Sequence, residues 1–181
     1  RTRLILWEMA DMLSLDLVDK GVVTNQIVLT VGYDKESLAD GHYTGEVVCD
    51  HYGRKIPKHA HGTQNLGRHT SSTRKIIDAT MALFDRIIDK TLLARRLNLT
   101  ACNVIREEDI PEIESYEQIS LFDMAEAANA DNNAEEKERA LQEAMLLIKH
   151  KYGKNAILKG TNYTEGATAR ERNRSIGGHK A

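Results

Sequence analysis

Between positions 51 and 75 the chain carries six cations, Arg54, Lys55, Lys58, Arg68, Arg74 and Lys75, and four histidines, without a single Asp or Glu. Thr63, Gln64, Asn65, Thr70, Ser71 and Ser72 lie among them. Short polar donors interleaved with Arg and Lys are the side chains that hydrogen-bond phosphate oxygens, so the chemistry on offer is non-covalent capture of a polyanion backbone. A solvated basic loop is the alternative reading of the same composition.

A second group stands out by contrast. Gln118, Ile119, Ser120, Leu121 and Phe122 form a small apolar island in acidic surroundings that have no core of their own. Such an island either docks as a short linear motif into a partner's pocket or packs back on the folded domain. His59 and His61, two apart on one face of a strand, are the residues from which a metal site with Cys49 and His51 would be built, but nothing else near them has ligand spacing and no metal is expected. Cys49 and Cys102 form no C-x-x-C pair and read as reduced, buried or half-buried thiols of a reducing compartment. The sequence holds no nucleophile motif, no phosphate-cradling Gly-rich loop before a helix and no strand with paired carboxylates for two metals, so no catalytic residue is expected in this chain.

Charge is segregated. Residues 1–106 hold 15 Lys+Arg and 12 Asp+Glu, residues 107–147 hold 2 and 13, and residues 148–181 hold 8 and 2. The net charge of −2 therefore conceals a mildly basic domain, an acidic stretch and a basic tail, and blocks of this kind mark interaction segments.

These groups need elements to hold them. Leu6, Met9, Ala10, Leu13 and Leu17 recur at helical spacing and Gly21 follows Lys20 as a stop, which predicts an opening helix of about four turns. Residues 25–33 alternate, with Ile27, Leu29, Val31 and Tyr33 on one face, as a half-buried strand does. From 45 to 72 the pattern is interrupted by Gly53, Pro57, Gly62 and Gly67, with strand-like pieces at 46–52 and 63–70. Ser72 is placed to cap a second helix whose stripe is Ile77, Met81, Phe84 and Ile88, widened by Ile76, Leu83 and Ile87. Residues 97–104 alternate again. The order helix, strand, irregular strands, helix, strand predicts an α+β fold, an antiparallel or mixed sheet with helices on one face.

Beyond Arg106 the composition becomes that of a linker. From Asn133, with Glu136 three residues on as in a capping box, a helix carries Leu141, Ala144, Met145 and Ile148 on one face and stops near Gly153. The chain thus divides into a domain at 1–106, an acidic linker at 107–132, a helix at 133–153 and a polar, basic tail at 154–181. With 181 residues, 41% hydrophobic and 29% charged, it has the composition of a soluble protein with one core, and no apolar run approaches the ~20 residues that cross a bilayer. No signal-peptide pattern opens it, and Arg1 stands first rather than Met, so it reads as a cytoplasmic fragment of a longer protein with no membrane partner.

This succession resembles the C-terminal half of the Y-family, or ImpB/MucB/SamB (UmuC-like), translesion DNA polymerases, above all the Gram-positive type. Residues 26–33 are similar to the family's first little-finger strand, and residues 62–70 with the helix from Thr73 to its polar strand-to-helix passage. Arg95, Arg96, Leu97, Asn98 and Leu99 are similar to its Arg-rich final strand, so the likeness covers residues 1–106. Gln118 to Phe122 matches the Gln-x-x-Leu-Phe pattern with which bacterial polymerases engage the sliding clamp, and residues 151–156, 166–168 and 177–180 resemble the tail of the Gram-positive proteins.

The resemblance implies a little-finger domain, a four-stranded, mostly antiparallel sheet with two helices on one face. It implies that the open face lies against duplex phosphates, through backbone amides as well as side chains, without reading sequence. Carried over by position, Thr63, Asn65, Arg68, Thr70, Arg74, Arg95, Arg96 and Thr100 are the expected DNA contacts, and Gln118, Ile119, Ser120, Leu121 and Phe122 the expected clamp contacts. Asn98 and Thr100 stand where another Arg occurs in some relatives, which implies a weaker electrostatic grip. The family's catalytic carboxylates, and the Mg2+ its parent polymerase would use, belong to the palm domain, so no cofactor is expected in this chain.

On this reading the chain is the DNA-binding and clamp-tethering portion of an error-prone translesion polymerase of the SOS response to DNA damage. Its expected partners are primer-template DNA, the sliding clamp and a recombinase filament. The competing reading is a stand-alone nucleic-acid-binding adaptor without polymerase activity, whose main contact surface is the tail with Arg170, Arg172 and Arg174 at alternating positions.

Overall fold

The computed structural model describes residues 1–39, 41–110, 124–176 and 179–180, with the backbone path alone for 124–132, 176 and 179–180. Helix α1 (Thr2–Asp19) buries Leu6, Ala10 and Leu17, as their spacing requires. It ends where Gly21, at φ 62°, turns left-handed and its N–H bonds Val18 O, a conformation that a side chain would strain. The chain reverses into β1 (Val22–Tyr33), whose Ile27, Leu29, Val31 and Tyr33 are sealed in the core. Each such side chain contributes about 1.5–3 kcal/mol of burial, which fixes the register because a one-residue slip would expose them all.

Strand β1 is central. Antiparallel to it run β4 (Ala60–Thr70) on one side and β5 (Ala94–Cys102) on the other, while the short β6 (Ile105–Arg106) pairs with Val22 and Val23. This is the expected α+β, four-stranded antiparallel sheet. Strands β2 (Val47–Cys49) and β3 (Lys55–Pro57) form a separate hairpin. Its turn is closed by Asp50, whose Oδ1 accepts the N–H groups of Tyr52 and Arg54, each at 2.9 Å. Cys49, at the edge of this hairpin, is exposed rather than buried, because the hairpin lies off the main sheet; Cys102 is half-buried.

Helices α1 and α2 (Thr73–Ile87) cover one face of the sheet. Leu6, Leu83 and Phe84 meet the sealed residues of β1 there, and Ala10 and Leu17 meet Ile76 and Ile77 between the helices. Ser72 caps α2, its Oγ accepting the Lys75 N–H at 3.3 Å. Gly62, which reads in sequence as a break, lies inside β4: a Cβ there would come within 2.8 Å of Ile87 Cγ2 and 2.9 Å of Leu83 Cδ1, so the bare backbone is what lets α2 lie against the strand.

Helix α3 (Met124–Tyr152) begins well before Asn133, because Met124, Glu126 and four alanines among its first nine residues favour helix, and Asn133 with Glu136 is interior rather than a cap. Gly153, at φ 97°, ends it. Met145 faces inward as expected, but Gln142 takes the neighbouring inward place while Leu141 and Leu147 are exposed. Gln142 is held there by bonds from Nε2 to Ser71 O and Thr73 Oγ1, both 2.9 Å.

The segment after α3 folds back on α1, which explains why Glu8 and Asp11 are buried on the side of that helix away from the sheet. Glu8 meets Asn162, Thr168 and Arg172, and Asp11 pairs with Lys159. A short helix α4 (Ala169–Arg172) and a two-stranded pair, β7 (Ser175–Ile176) with β8 (His179–Lys180), complete the described chain. Among the described residues no helix is long and apolar enough to cross a membrane.

Candidate nucleic-acid interface

The sheet has a second face, away from the helices, and the strand register sets out its side chains in rows. His61, Thr30 and Asn98 form one row across β4, β1 and β5; Thr63, Val28 and Thr100 form the next; Asn65, Gln26 and Cys102 the third. Arg96 extends the pattern opposite Gly32. Every one of these residues is neutral, titratable to a cation, or cationic, and His61, Thr63, Asn65, Arg96, Asn98 and Thr100 are exposed. A His61–Thr30 bond of 3.0 Å, between Nδ1 and Oγ1, ties two of the strands on this side.

Four of the expected contacts, Thr63, Asn65, Arg96 and Thr100, therefore share one surface. Gly32 clears the ground for Arg96: a Cβ on it would lie 3.3 Å from Arg96 Cβ. Arg95 stands beside them for a different reason. The ladder slips between Gly32 and Tyr33, which pair with Arg96 and Ala94, so Arg95 is the extra residue of a bulge and both arginines are exposed. Its guanidinium lies 3.2 Å from Asp34 Oδ2. The Glu36 backbone N–H, and then Arg95, hold the Asp34 carboxyl below the usual carboxylate range.

Arg68, Thr70 and Arg74 lie elsewhere, at the junction of β4 and α2. The ladder of β4 with β1 is irregular beyond Asn65, where Asn65 Oδ1 accepts the Gly67 N–H at 2.8 Å and Gly67 takes φ 82°. Past that point Arg68 Nη2 reaches Glu135 Oε1 on α3 at 2.7 Å. Thr70 is buried, its Oγ1 accepting the Ser72 N–H at 3.0 Å. Arg74 is exposed, and its backbone N–H donates to Glu138 Oε1 at 2.9 Å. The expected contacts thus form two groups rather than one continuous surface.

His61, Thr30, Gln26 and Asn98 were not among the expected contacts; parity along the strand joins His61 to Thr63 and Asn65 and joins Asn98 to Thr100, whereas Thr30 and Gln26 come in only through the register of β1 with β4 and β5. The island Gln118, Ile119, Ser120, Leu121 and Phe122 lies outside the described residues. The His59 and His61 rings are edge-to-face with centroids 6.4 Å apart. Among the described residues no group of three or more His, Cys, Asp or Glu is placed to hold a metal ion.

The sequence pattern of the impB/mucB/samB family C-terminal domain matches residues 2–121. A protein of Bacillus subtilis (strain 168) that carries a UV-damage repair name, UvrX, is 31% identical over 160 residues, which is 88% of this chain. The chain spans 30% of the length of that relative. No solved structure matches this chain.

Proposed function

The chain belongs to the impB/mucB/samB family, whose C-terminal domain it carries, and on that premise we propose that it holds the phosphate backbone of primer-template DNA on the open face of its sheet and tethers a translesion polymerase to the sliding clamp. The observation that carries the reading is the acid-free face on which Thr63, Asn65, Arg96 and Thr100 converge. Hydroxyl, amide and guanidinium groups on the face of a sheet can bond phosphate oxygens at many registers and present no fixed code to base edges, so binding of this kind positions a duplex without selecting its sequence.

The face holds few full charges. Affinity from counterion release is correspondingly small, and the isolated chain binds DNA weakly. Tethering compensates for that weakness. Gln118, Leu121 and Phe122, in a short docking peptide, would raise the polymerase's local concentration at a primer end to about the millimolar range even if their own affinity is modest. Polymerisation, with its Mg2+, belongs to the parent enzyme, and the repair name of the Bacillus subtilis relative agrees with a role in damage bypass. Against the adaptor reading, Arg172 of the tail is turned inward to Glu8, at 3.2 Å, while Arg170, over the Tyr163 ring, and Arg174 stay exposed.

The test is titration of the chain with a short primer-template duplex at several salt concentrations, beside a variant carrying Thr63→Ala, Arg96→Ala and Thr100→Ala. Weaker binding by the variant is expected, with no dependence on sequence and with the salt slope shallower by about 0.9 for each phosphate that is no longer neutralised. Equal binding by both proteins would place the DNA elsewhere. For the clamp, Gln118→Ala with Leu121→Ala and Phe122→Ala is expected to abolish binding to a bacterial sliding clamp, and retention of binding would discard the tether.

A further inference from the structure

The junction of β4 and α2 holds three of the six cations of the acid-free stretch, Arg68, Arg74 and Lys75, and α3 covers it with acids. Glu135 Oε1 lies 2.7 Å from Arg68 Nη2 and 2.5 Å from Lys75 Nζ. Three residues on, along the same helix face, Glu138 Oε2 accepts a bond from Ser72 Oγ at 2.7 Å and its Oε1 accepts the Arg74 N–H at 2.9 Å. A guanidinium, an ammonium, a hydroxyl and a backbone N–H in the first turn of a helix are the groups a phosphodiester takes from a protein. Two carboxylates on α3 have taken them instead.

This contact is built to be exchanged rather than sealed. The side chains of Arg68, Lys75 and Glu135 remain 39%, 25% and 29% exposed, and a cleft of about 530 Å3 lined by Arg68, Ser72, Glu135 and Glu138 runs beside them. Partly hydrated ion pairs are held by little net free energy, so another anion can replace one partner. Position supplies the anion. Arg68 lies three residues beyond Asn65 on the edge strand β4, across the irregularity in its ladder, so a duplex that rests on the open face and runs on past that end of β4 brings its phosphates to the junction.

We propose that the acidic face of α3 is an intramolecular competitor of nucleic acid. Glu135 and Glu138 occupy the cationic junction in the free chain and surrender Arg68, Lys75 and the start of α2 to DNA phosphates when a duplex settles on the open face. This rests on the DNA-binding reading above and deepens it: the grip has a weak state, the open face alone, and a strong state in which the junction joins it.

The experiment uses the whole chain and a short duplex DNA. Glu135→Gln with Glu138→Gln keeps size and most hydrogen bonds while removing the competing charge. Affinity is expected to rise about three- to tenfold, with the salt slope steeper by about 0.9 to 1.8, one or two phosphates' worth. Adding Arg68→Ala and Lys75→Ala to that variant should cancel the gain. Glu165→Gln with Glu171→Gln, which removes two exposed acids from the tail, controls for net charge and should give no such gain.

Hydrogen exchange in the unaltered chain supplies an independent reading: protection of α3 amides should fall when DNA is added. If the chain binds DNA but the Glu135→Gln, Glu138→Gln variant binds no tighter than the control and α3 stays protected, the competition is overturned and the open face stands. If neither the chain nor the variant binds DNA, both proposals fall together.

Discussion

The Glu8 carboxylate accepts the Thr168 backbone N–H at 2.9 Å, joining the opening helix to the tail across 160 positions of sequence. The same side chain accepts bonds from Asn162 Nδ2 at 3.0 Å and from Thr168 Oγ1 at 3.2 Å, and pairs with Arg172 at 3.2 Å while itself fully buried. Removing one partner of a buried charged network leaves the others desolvated without compensation. Glu8→Ala is therefore expected to lower the free energy of unfolding by about 2–4 kcal/mol and to make the tail sensitive to protease, whereas Glu171→Ala on the exposed side of α4 should change it by less than about 0.5 kcal/mol. Urea denaturation of the two variants checks this; equal effects would mean that the acid does not hold the tail.

The same carboxylate should give the fold an acid limit. Burial alone would raise its pKa, but the Thr168 N–H, the Asn162 amide, the Ala169 N–H and the Arg172 charge outweigh burial and hold it below its ordinary value of 4.5. A folded-state pKa lowered in this way contributes stability that is fully present above the ordinary value and is lost as pH falls below it toward the folded one. The stability gap between the natural chain and Glu8→Gln should therefore shrink as pH is lowered from about 6 to about 3. A gap that stays constant across that range would show that Glu8 does not titrate with unfolding.

Strands and helices with one buried stripe were legible because their periods are local. Ile27 to Tyr33 alternates whatever surrounds it, and Ser72 caps α2 from its own next residues. The tail's attachment was not legible, since Glu8 and Asp11 look like a solvated face of α1 until Lys159, Asn162 and Thr168 arrive from beyond α3. The candidate site divided in the same way. Thr63 and Asn65 share a face by strand parity, which can be counted, whereas the place of Thr100 beside them, the irregularity after Asn65 and the acids of α3 that meet Arg68 depend on strand pairing and contacts with no local signature.

Arg95 and Arg96 are neighbours in sequence but should not be equivalent toward DNA. Arg96 sits in the ladder opposite Gly32 and has no acidic partner among the described residues, while the bulged Arg95 is answered by Asp34 at 3.2 Å. Arg96→Ala is expected to reduce duplex affinity and to lower the salt slope by about 0.9, and Arg95→Ala to do so by clearly less. Salt-dependent titration of the two single variants decides it: equal losses would mean that Asp34 releases Arg95 when DNA binds.

Gly62 tests whether the close approach of α2 to β4 is set by sterics. Its φ is not in the left-handed region, so alanine there meets no backbone strain, and whatever Gly62→Ala does must come from its methyl. That methyl would fall 2.9 Å from Leu83 Cδ1 and 2.8 Å from Ile87 Cγ2, contacts that force α2 away from β4. Overpacking of this kind is expected to lower stability by about 1–3 kcal/mol. Leu83 is fully buried, and Leu83→Ala alone should lower stability by about 2–5 kcal/mol through the cavity it leaves. In the double variant the added methyl enters space that the leucine vacated, so the two losses should fall short of their sum by about 1 kcal/mol or more. Chemical denaturation of the four proteins measures that coupling, and strict additivity would mean that Leu83 is not what keeps position 62 bare.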